Sequence, residues 1–280
     1  MNSAFIETRQ RWDAFLSNIL ERFHETLQQA EAILPQLLDY QNFDTLPFGN
    51  AWTGIRGQVQ ELIGKIGDTW DEKVSPAFEL IKEAGEAEIE AAGNGLDDFY
   101  LTFYEHYYKE LDKGRDLMHQ LDKELKAYEV RTFAHAGRKL QAKAREILSG
   151  HFACTQCKAP LPVKHNFFRS YYQACEYCQT VNTFEPGTVA RNVENFALHP
   201  LAEEQALTEY FAYWDLENKY RSQRQDQPKT ITSDEVLRAY TQYAEKYLKA
   251  CIAIIPDLEV QYEKDLEAKV AHVKKWILTA

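Results

Sequence analysis

The chain is poor in the residues that interrupt regular structure. Only 12 of its 280 residues are glycine and 9 are proline, both below average usage. Because these residues are the strongest local breakers of helices and strands, their scarcity predicts long helices joined by few loops. The apolar fraction of 45% is ordinary for a globular protein, which excludes extensive disorder.

Long apolar runs and export signals are also missing. The longest run, Ala250 to Ile255, is far shorter than the roughly 18–20 residues that cross a bilayer. The first residues show no basic segment followed by an apolar stretch, so no signal peptide is predicted. We therefore expect a soluble, cytoplasmic protein without a transmembrane segment, whose cysteines are kept reduced.

Positive charge is in short supply. The formal net charge is −11, which argues against a general nucleic-acid-binding protein. Residues 1–150 have 17 basic and 26 acidic side chains, residues 151–191 have 4 and 2, and residues 192–280 have 11 and 15. The middle of the chain is therefore its only locally basic part.

The signatures of common catalytic sites are absent from the sequence. It contains no phosphate-binding loop, no GxGxxG turn, no HExxH and no GxSxG. Glu105, His106 and Glu110 could hold a metal inside a helical bundle, but the paired Glu-x-x-His motifs of di-metal bundles are not found. We therefore expect neither catalytic activity nor a small-molecule substrate.

Apolar residues recur at helical spacing through most of the chain. The first helix, expected to end near Pro35, has a near-regular heptad seam: Phe5, Trp12, Leu16, Ile19, Phe23, Thr26, Ala30, Ile33 and Leu37. Further helices are predicted at about 52–91, 96–148 and 199–223, and two more follow a capping box at Thr232 and Glu235. A helix of about 50 residues would be roughly 75 Å long, which predicts an elongated bundle or coiled coil.

Four of the five cysteines form two closely spaced pairs. Cys154-x2-Cys157 and Cys175-x2-Cys178 are separated by 17 residues. Each CxxC turn can present two thiolates, and a β-hairpin of this length brings the pairs together around tetrahedral Zn²⁺. Residues 160–172 and 181–184 are rich in strand-forming types. Two disulfides or a redox-active CxxC pair are the alternatives.

The segments that begin at Cys154 and at Cys175 resemble those of a zinc ribbon. The resemblance covers residues 151–190 and implies a structural element rather than an activity. It implies a structural Zn²⁺ closed by four thiolates, since a catalytic zinc keeps one position for water. His151 and His165 lie nearby as substitute ligands that four thiols make unnecessary. Cys251 is expected to be a small buried hydrophobic residue.

Together these patterns predict a mainly α protein. We expect an elongated helical bundle or coiled coil over residues 1–149, an inserted small β-rich zinc ribbon over residues 150–190, and a C-terminal helical region over residues 191–280.

A candidate surface for an anionic partner begins in the long helix and continues into the ribbon. Its residues are Arg131, Arg138, Lys139, Lys143, Arg145, Lys158, Lys164 and Arg169. Basic side chains contact phosphates, and neighbouring aromatic residues can stack on bases. Against this, a four-thiolate zinc centre contributes a formal −2, which cancels the charge of the ribbon, and basic residues on a long helix are commonly solvated.

The favoured hypothesis is a non-catalytic zinc-binding adaptor or scaffold. It would bind protein partners and form homo-oligomers through the seam of its first helix. Nucleic-acid binding by the ribbon and the adjacent basic helix is the alternative hypothesis. Membrane-surface contact by the first helix is a third, disfavoured by the acidic residues around the seam.

Overall fold

The protein is mainly α with a small β insertion, as the sequence predicts. The structure is a computed structural model and describes residues 3–93, 95–164, 167–223 and 230–279. Within these ranges no helix is long and apolar enough to span a bilayer. The elements, in chain order, are α1 (Ser3–Ile33), α2 (Leu46–Thr69), α3 (Ser75–Ala91), α4 (Asp97–His151), β1 (Tyr171–Ala174), β2 (Val181–Phe184), α5 (Gly187–Gln205), α6 (Leu207–Ser222), α7 (Ser233–Ile254) and α8 (Tyr262–Thr279).

Prolines set several of the helix boundaries. α1 ends at Ile33, and a 3₁₀ turn at Leu34–Leu37 contains Pro35, as expected for a residue that cannot continue an α-helix. α3 has a proline in its first turn, where the missing amide hydrogen is not needed. A second 3₁₀ segment, Pro256–Gln261, separates α7 from α8. The predicted capping box at the start of α7 is present.

Two predicted boundaries are wrong. The sequence predicts a helix that begins at His199 and Pro200, but α5 begins at Gly187 and contains Pro200. Pro200 has no backbone N–H, so α5 lacks one intrahelical hydrogen bond at this position. Only five more residues follow before α5 ends at Gln205, so little of the helix depends on the missing bond. The loop predicted at 42–50 is also shorter, because α2 begins at Leu46.

The chain divides into two compact units. Unit 1 comprises Met1–Leu37 and Leu46–Tyr128, and unit 2 comprises Leu38–Thr45 and Glu129–Ala280. The boundary lies within α4 and does not coincide with the predicted segment boundaries near residues 150 and 190. The predicted division into three domains stays a prediction.

Unit 1 has an aromatic core built on the seam of α1. The ring of Trp12 lies 5.6 Å from that of Trp70, which lies 5.3 Å from that of Tyr107. The indole N–H of Trp12 also donates to the backbone carbonyl of Glu110, at 3.0 Å. The buried α1 residues are Phe5, Trp12, Leu16, Ile19, Phe23, Leu27 and Ala30. Self-association through this seam stays a prediction, but a single chain already buries most of it; Ile33 is 51% exposed.

Unit 2 contains the cysteine segment and the C-terminal helices. α4 and α5 approach closely at small residues: a Cβ added to Gly137 would lie 3.0 Å from that of Ala197. α7 packs against α5, α6 and α8. The two strands form an antiparallel hairpin in which Tyr171 pairs with Phe184 and Ala174 with Val181. This hairpin positions the second cysteine pair.

Candidate metal centre

The four predicted ligand cysteines lie together. All their Sγ atoms are within 4.8 Å of one another, and they form the single such cluster of potential metal ligands among the residues that the structure describes. The Sγ atoms of Cys154 and Cys178 are 3.5 Å apart, and those of Cys157 and Cys175 are 3.6 Å apart. Both of these approaches join one CxxC pair to the other.

These separations suit one tetrahedral metal ion. Four sulfurs that each lie about 2.3 Å from a tetrahedral Zn²⁺ are about 3.8 Å apart. A disulfide would need about 2.05 Å, and all five cysteines are free thiols. Four soft sulfur donors favour Zn²⁺ or another thiophilic ion over Mg²⁺ or Ca²⁺. The chemistry of the donor set thus fits the predicted ion, although its identity stays a prediction.

The first cysteine pair is presented by a tight turn. The amide of Cys154 donates to the carbonyl of Ala159 at 2.8 Å, and the amide of Lys158 donates back to the carbonyl of Cys154 at 3.0 Å. Lys158 has φ of 64°, in the left-handed region that favours glycine. Its ammonium donates to the carbonyl of Thr155 at 3.0 Å, which ties the side chain to the turn.

The second pair repeats this turn in the same register. The amide of Cys175 donates to the carbonyl of Thr180, and the amide of Gln179 donates to the carbonyl of Cys175, both at 2.9 Å. Gln179 has φ of 61°, matching Lys158. Two equivalent knuckles therefore face each other, which is how local CxxC spacing becomes a four-ligand site.

Asn182 joins the two knuckles and was not identified from the sequence. Its side chain is 2% exposed. Oδ1 accepts from the amide and the hydroxyl of Thr155, at 2.8 and 3.0 Å, and Nδ2 donates to the carbonyl of Thr180 at 2.8 Å. Nδ2 also lies 3.7 Å from the sulfur of Cys154. One amide thus holds both turns and touches a ligand, as outer-shell groups of metal sites do.

Hydrogen bonds and crowding make the thiols ionise unequally. The backbone amide of Cys157 is the main cause that lowers the pKa of Cys154 to about 6. The backbone of Ala159 lowers the pKa of Cys157, but burial and the neighbouring thiols outweigh it and raise that pKa to about 12. The side chain and backbone of Thr180 lower the pKa of Cys178. A divalent cation would remove this competition, because it stabilises every thiolate at once.

An aromatic cluster packs beneath the hairpin. The ring of Phe184 lies 5.1 Å from that of Phe152 and 4.7 Å from that of Tyr171. The hydroxyl of Tyr171 accepts from the amide of Lys164 at 2.9 Å, and the Lys164 ammonium lies 4.6 Å from the centre of the same ring. These contacts give the segment a small core of its own, which a metal ion would complete.

The segment is attached to the helices of unit 2. Phe167 is 1% exposed, and the guanidinium of Arg145 in α4 lies 5.3 Å from its ring centre. The guanidinium of Arg169 lies 3.3 Å from a carboxylate oxygen of Glu194 in α5 and 3.7 Å from one of Asp257. The cysteine segment therefore packs on the helices.

Other predicted basic residues of unit 2 also have acidic partners. The guanidinium of Arg138 forms a two-pronged ion pair with Glu204 in α5, in which one N–O distance is 3.1 Å. The ammonium of Lys143 is 2.9 and 3.0 Å from the two carboxylate oxygens of Glu146. Among the described residues, four candidates form no ion pair: Arg131, Lys139, Lys158, whose ammonium donates to a backbone carbonyl, and Lys164, whose ammonium lies over the ring of Tyr171. Whether these eight residues bind an anionic partner stays a prediction.

The remaining candidate ligands have other roles. His106 packs edge-on against Phe5, at 5.4 Å between ring centres. The buried carboxylate of Glu110 lies 3.2 Å from Arg9 Nε and 2.6 Å from Lys113 Nζ. Cys251 is 4% exposed, as expected for a buried thiol. His165 lies outside the described residues, and the ring of His151 is hydrogen-bonded to the carbonyl of Ile147. No protein-family model, curated protein or solved structure matches the chain.

Proposed function

We propose that the chain is a non-catalytic adaptor in which a structural Zn²⁺ holds a ribbon that docks a protein partner. The carrying observation is an exposed apolar surface on the ribbon. We call Tyr172, Tyr177 and Val181 the docking face, and their exposed fractions are 74%, 80% and 64%. Exposed apolar patches on a rigid element are typical of protein interaction sites.

Strand register supports this assignment for two of the three residues. Tyr172 pairs with Thr183 and Ala174 pairs with Val181, so Tyr172 and Val181 lie diagonally on the same side of the hairpin. The opposite side carries Phe184 in the buried cluster. Tyr177 belongs to the turn between the strands, inside the second CxxC pair. Tyrosine is enriched at the energetically important positions of protein interfaces.

The charges near the ribbon support a protein partner over nucleic acid. Arg138 and Arg169 each pair with carboxylates of the chain's own α5. Phosphate contacts would have to replace these pairs, at a cost in affinity. With four thiolates, a bound Zn²⁺ would also leave a formal −2 at the knuckles. An apolar face binds mainly by burial and does not need a basic surface around it.

Zinc would act as a staple in this proposal. The hairpin strands are only four residues each, and two-stranded sheets are marginally stable alone. Metal binding supplies folding free energy to such segments. The docking face would therefore be ordered only in the metal-bound protein, so partner binding should require the metal.

A comparison of two matched triple variants tests the proposal. Proteins cross-linked to the full chain in an extract of its source cells would be identified, purified and titrated against each variant. The docking-face variant combines Tyr172→Ser, Tyr177→Ser and Val181→Ser. The control variant changes the same residue types at other exposed positions: Tyr104→Ser, Tyr108→Ser and Val260→Ser.

We expect the affinity of the partner for the chain to fall about 100-fold or more in the docking-face variant. Zinc chelation should lower it equally, and the control variant should bind the partner as the unchanged chain does. A partner that binds all three proteins equally would defeat it. A parallel titration with single- and double-stranded oligonucleotides tests the alternative function. Salt-dependent binding that is lost in Arg131→Glu, Lys139→Glu protein would support nucleic-acid recognition instead.

A further inference from the structure

A second candidate site lies in the C-terminal helices of unit 2. It is a cavity of about 200 Å³ lined by residues of α5, α7 and α8 and of the 3₁₀ segment before α8. Its apolar wall includes Leu198, Leu248, Ile252 and Leu258. None of the four clustered cysteines lines it. Cavities with an apolar wall and a few convergent polar groups are the usual form of small-molecule sites.

A histidine–tyrosine pair forms one polar part of the lining. Nδ1 of His199 and the hydroxyl of Tyr247 are 2.6 Å apart. Burial raises the pKa of Tyr247, so its hydroxyl stays protonated and can donate to Nδ1. When Nδ1 accepts this bond, the ring N–H is at Nε2. This pair supplies a hydrogen-bond donor to the lining.

Two opposite charges complete the lining. Asp265 and Lys269 are one helical turn apart on α8, and both line the cavity. Acid–base pairs at this spacing commonly join, as Glu245 and Lys249 do at 3.5 Å. Asp265, however, has no ion pair within 4.0 Å with any described residue, and the Lys269 ammonium instead lies 4.9 Å from the centre of the Tyr247 ring.

The sum of these charges limits the ligand class. The charges of Asp265 and Lys269 cancel, and burial raises the pKa of Cys251, which favours its neutral thiol. A cation or an anion would leave one of the two α8 charges without a partner in a partly desolvated site, which costs free energy. A ligand with both charges would satisfy both.

We propose that this cavity binds a small zwitterion, an amino acid with an aliphatic side chain. Its ammonium would pair with Asp265 and its carboxylate with Lys269, while the side chain packs on the apolar wall. The volume of about 200 Å³ is below the roughly 300–1,000 Å³ of sites for drug-sized molecules. The site therefore suits one amino acid, and it is independent of the ribbon and its function.

Three matched probes test the charge requirement by calorimetry on the full chain: L-leucine, 4-methylpentanoate, which lacks the amine, and 3-methylbutylamine, which lacks the carboxylate. Leucine should bind about 10- to 100-fold more tightly than either analogue, because each analogue loses one charged hydrogen bond. Equal affinities for the three probes would overturn the proposal, as would the absence of binding by leucine, valine and methionine.

Variants of α8 assign the two charges. Asp265→Asn should remove the advantage of leucine over 4-methylpentanoate, and Lys269→Gln should remove its advantage over 3-methylbutylamine. Glu263→Gln and Lys264→Gln remove charges of the same sign at exposed positions of α8 outside the cavity, and should bind leucine as the parent does. Leucine binding that is equal in all four variants would place the ligand elsewhere and refute the assignment.

Discussion

Replacement of Asn182 by alanine tests how the two CxxC knuckles are held in place. The amide accepts two hydrogen bonds from Thr155, beside the first knuckle pair, and donates one to Thr180, beside the second. Its removal leaves all four thiols in place. Any loss of metal affinity therefore reports the positioning of the ligands and not their number.

The size of the expected loss follows from the three hydrogen bonds that Asn182 forms with Thr155 and Thr180. Each contributes about 1 kcal/mol net, because folding exchanges bonds to water for bonds within the protein. The longer contact to the Cys154 sulfur, at 3.7 Å, is left out because thiols are weak partners. The total of about 3 kcal/mol corresponds to about a 100-fold loss of metal affinity, since 1.4 kcal/mol is tenfold. Metal binding and folding of the segment are coupled, so the loss appears in the metal affinity.

Competition with a chromophoric zinc chelator would measure the affinity, and substitution by Co²⁺ would report whether four thiolates still bind. Asn192→Ala is a matched control, because it removes the same side chain from an exposed position in α5. An Asn182→Ala protein that binds zinc as tightly as the control would refute the reasoning. So would a Co²⁺ spectrum that shows fewer than four thiolate ligands, because the deletion would then have changed the ligand set.

Three further predictions concern packing, capping and pH. Gly114→Ala should lower the free energy of unfolding of unit 1 by about 1–3 kcal/mol, because its Cβ would lie 2.7 Å from the buried ring of Trp12. Gly64→Ala is the matched control: its Cβ would meet no atom within 4 Å, so it should raise that free energy by about 0.5–1 kcal/mol. Thr232→Ala should weaken hydrogen-exchange protection at the start of α7 by about 1 kcal/mol. Hydrogen bonds from the backbone and side chain of Thr232 lower the pKa of Glu235. The stability that this carboxylate gives to the start of α7 should therefore be complete above the ordinary pKa of 4.5 and should be lost as pH falls below it. Zinc affinity, measured by the chelator assay, should fall as pH falls, since protons compete for the thiolates.

The cluster of four cysteines was predictable because its determinants are local. A CxxC turn brings two thiols together within four residues, and the sequence shows both turns. Asn182 was not predictable in the same way, because an amide in a strand is ordinarily solvent-exposed. Its inward position depends on the pairing of Asn182 with Gln173, and this register is visible only in the folded hairpin.

Sequence periodicity predicted most of the buried residues of α1, but not what covers them. Ile33 of the predicted seam is 51% exposed, whereas Leu27, which the seam did not include, is buried. The same seam of Trp12, Ile19 and Phe23 would suit a second copy of the chain or other helices of the same chain. The structure shows that unit 1 covers it. The predicted start of α5 was wrong because proline is common in the first turn of a helix, so Pro200 was taken to mark the start. In the structure Pro200 lies inside α5, a helix that packs against α7.

The two functions weighed for the ribbon differ in their dependence on salt. Binding through Tyr172, Tyr177 and Val181 would bury apolar area, and moderate salt changes that free energy little. Binding of phosphates would release counterions, and six to ten contacts would cost about 10³- to 10⁵-fold between 50 and 200 mM salt. A partner affinity that is nearly constant over this range therefore supports docking by the apolar face, and a steep decline contradicts it.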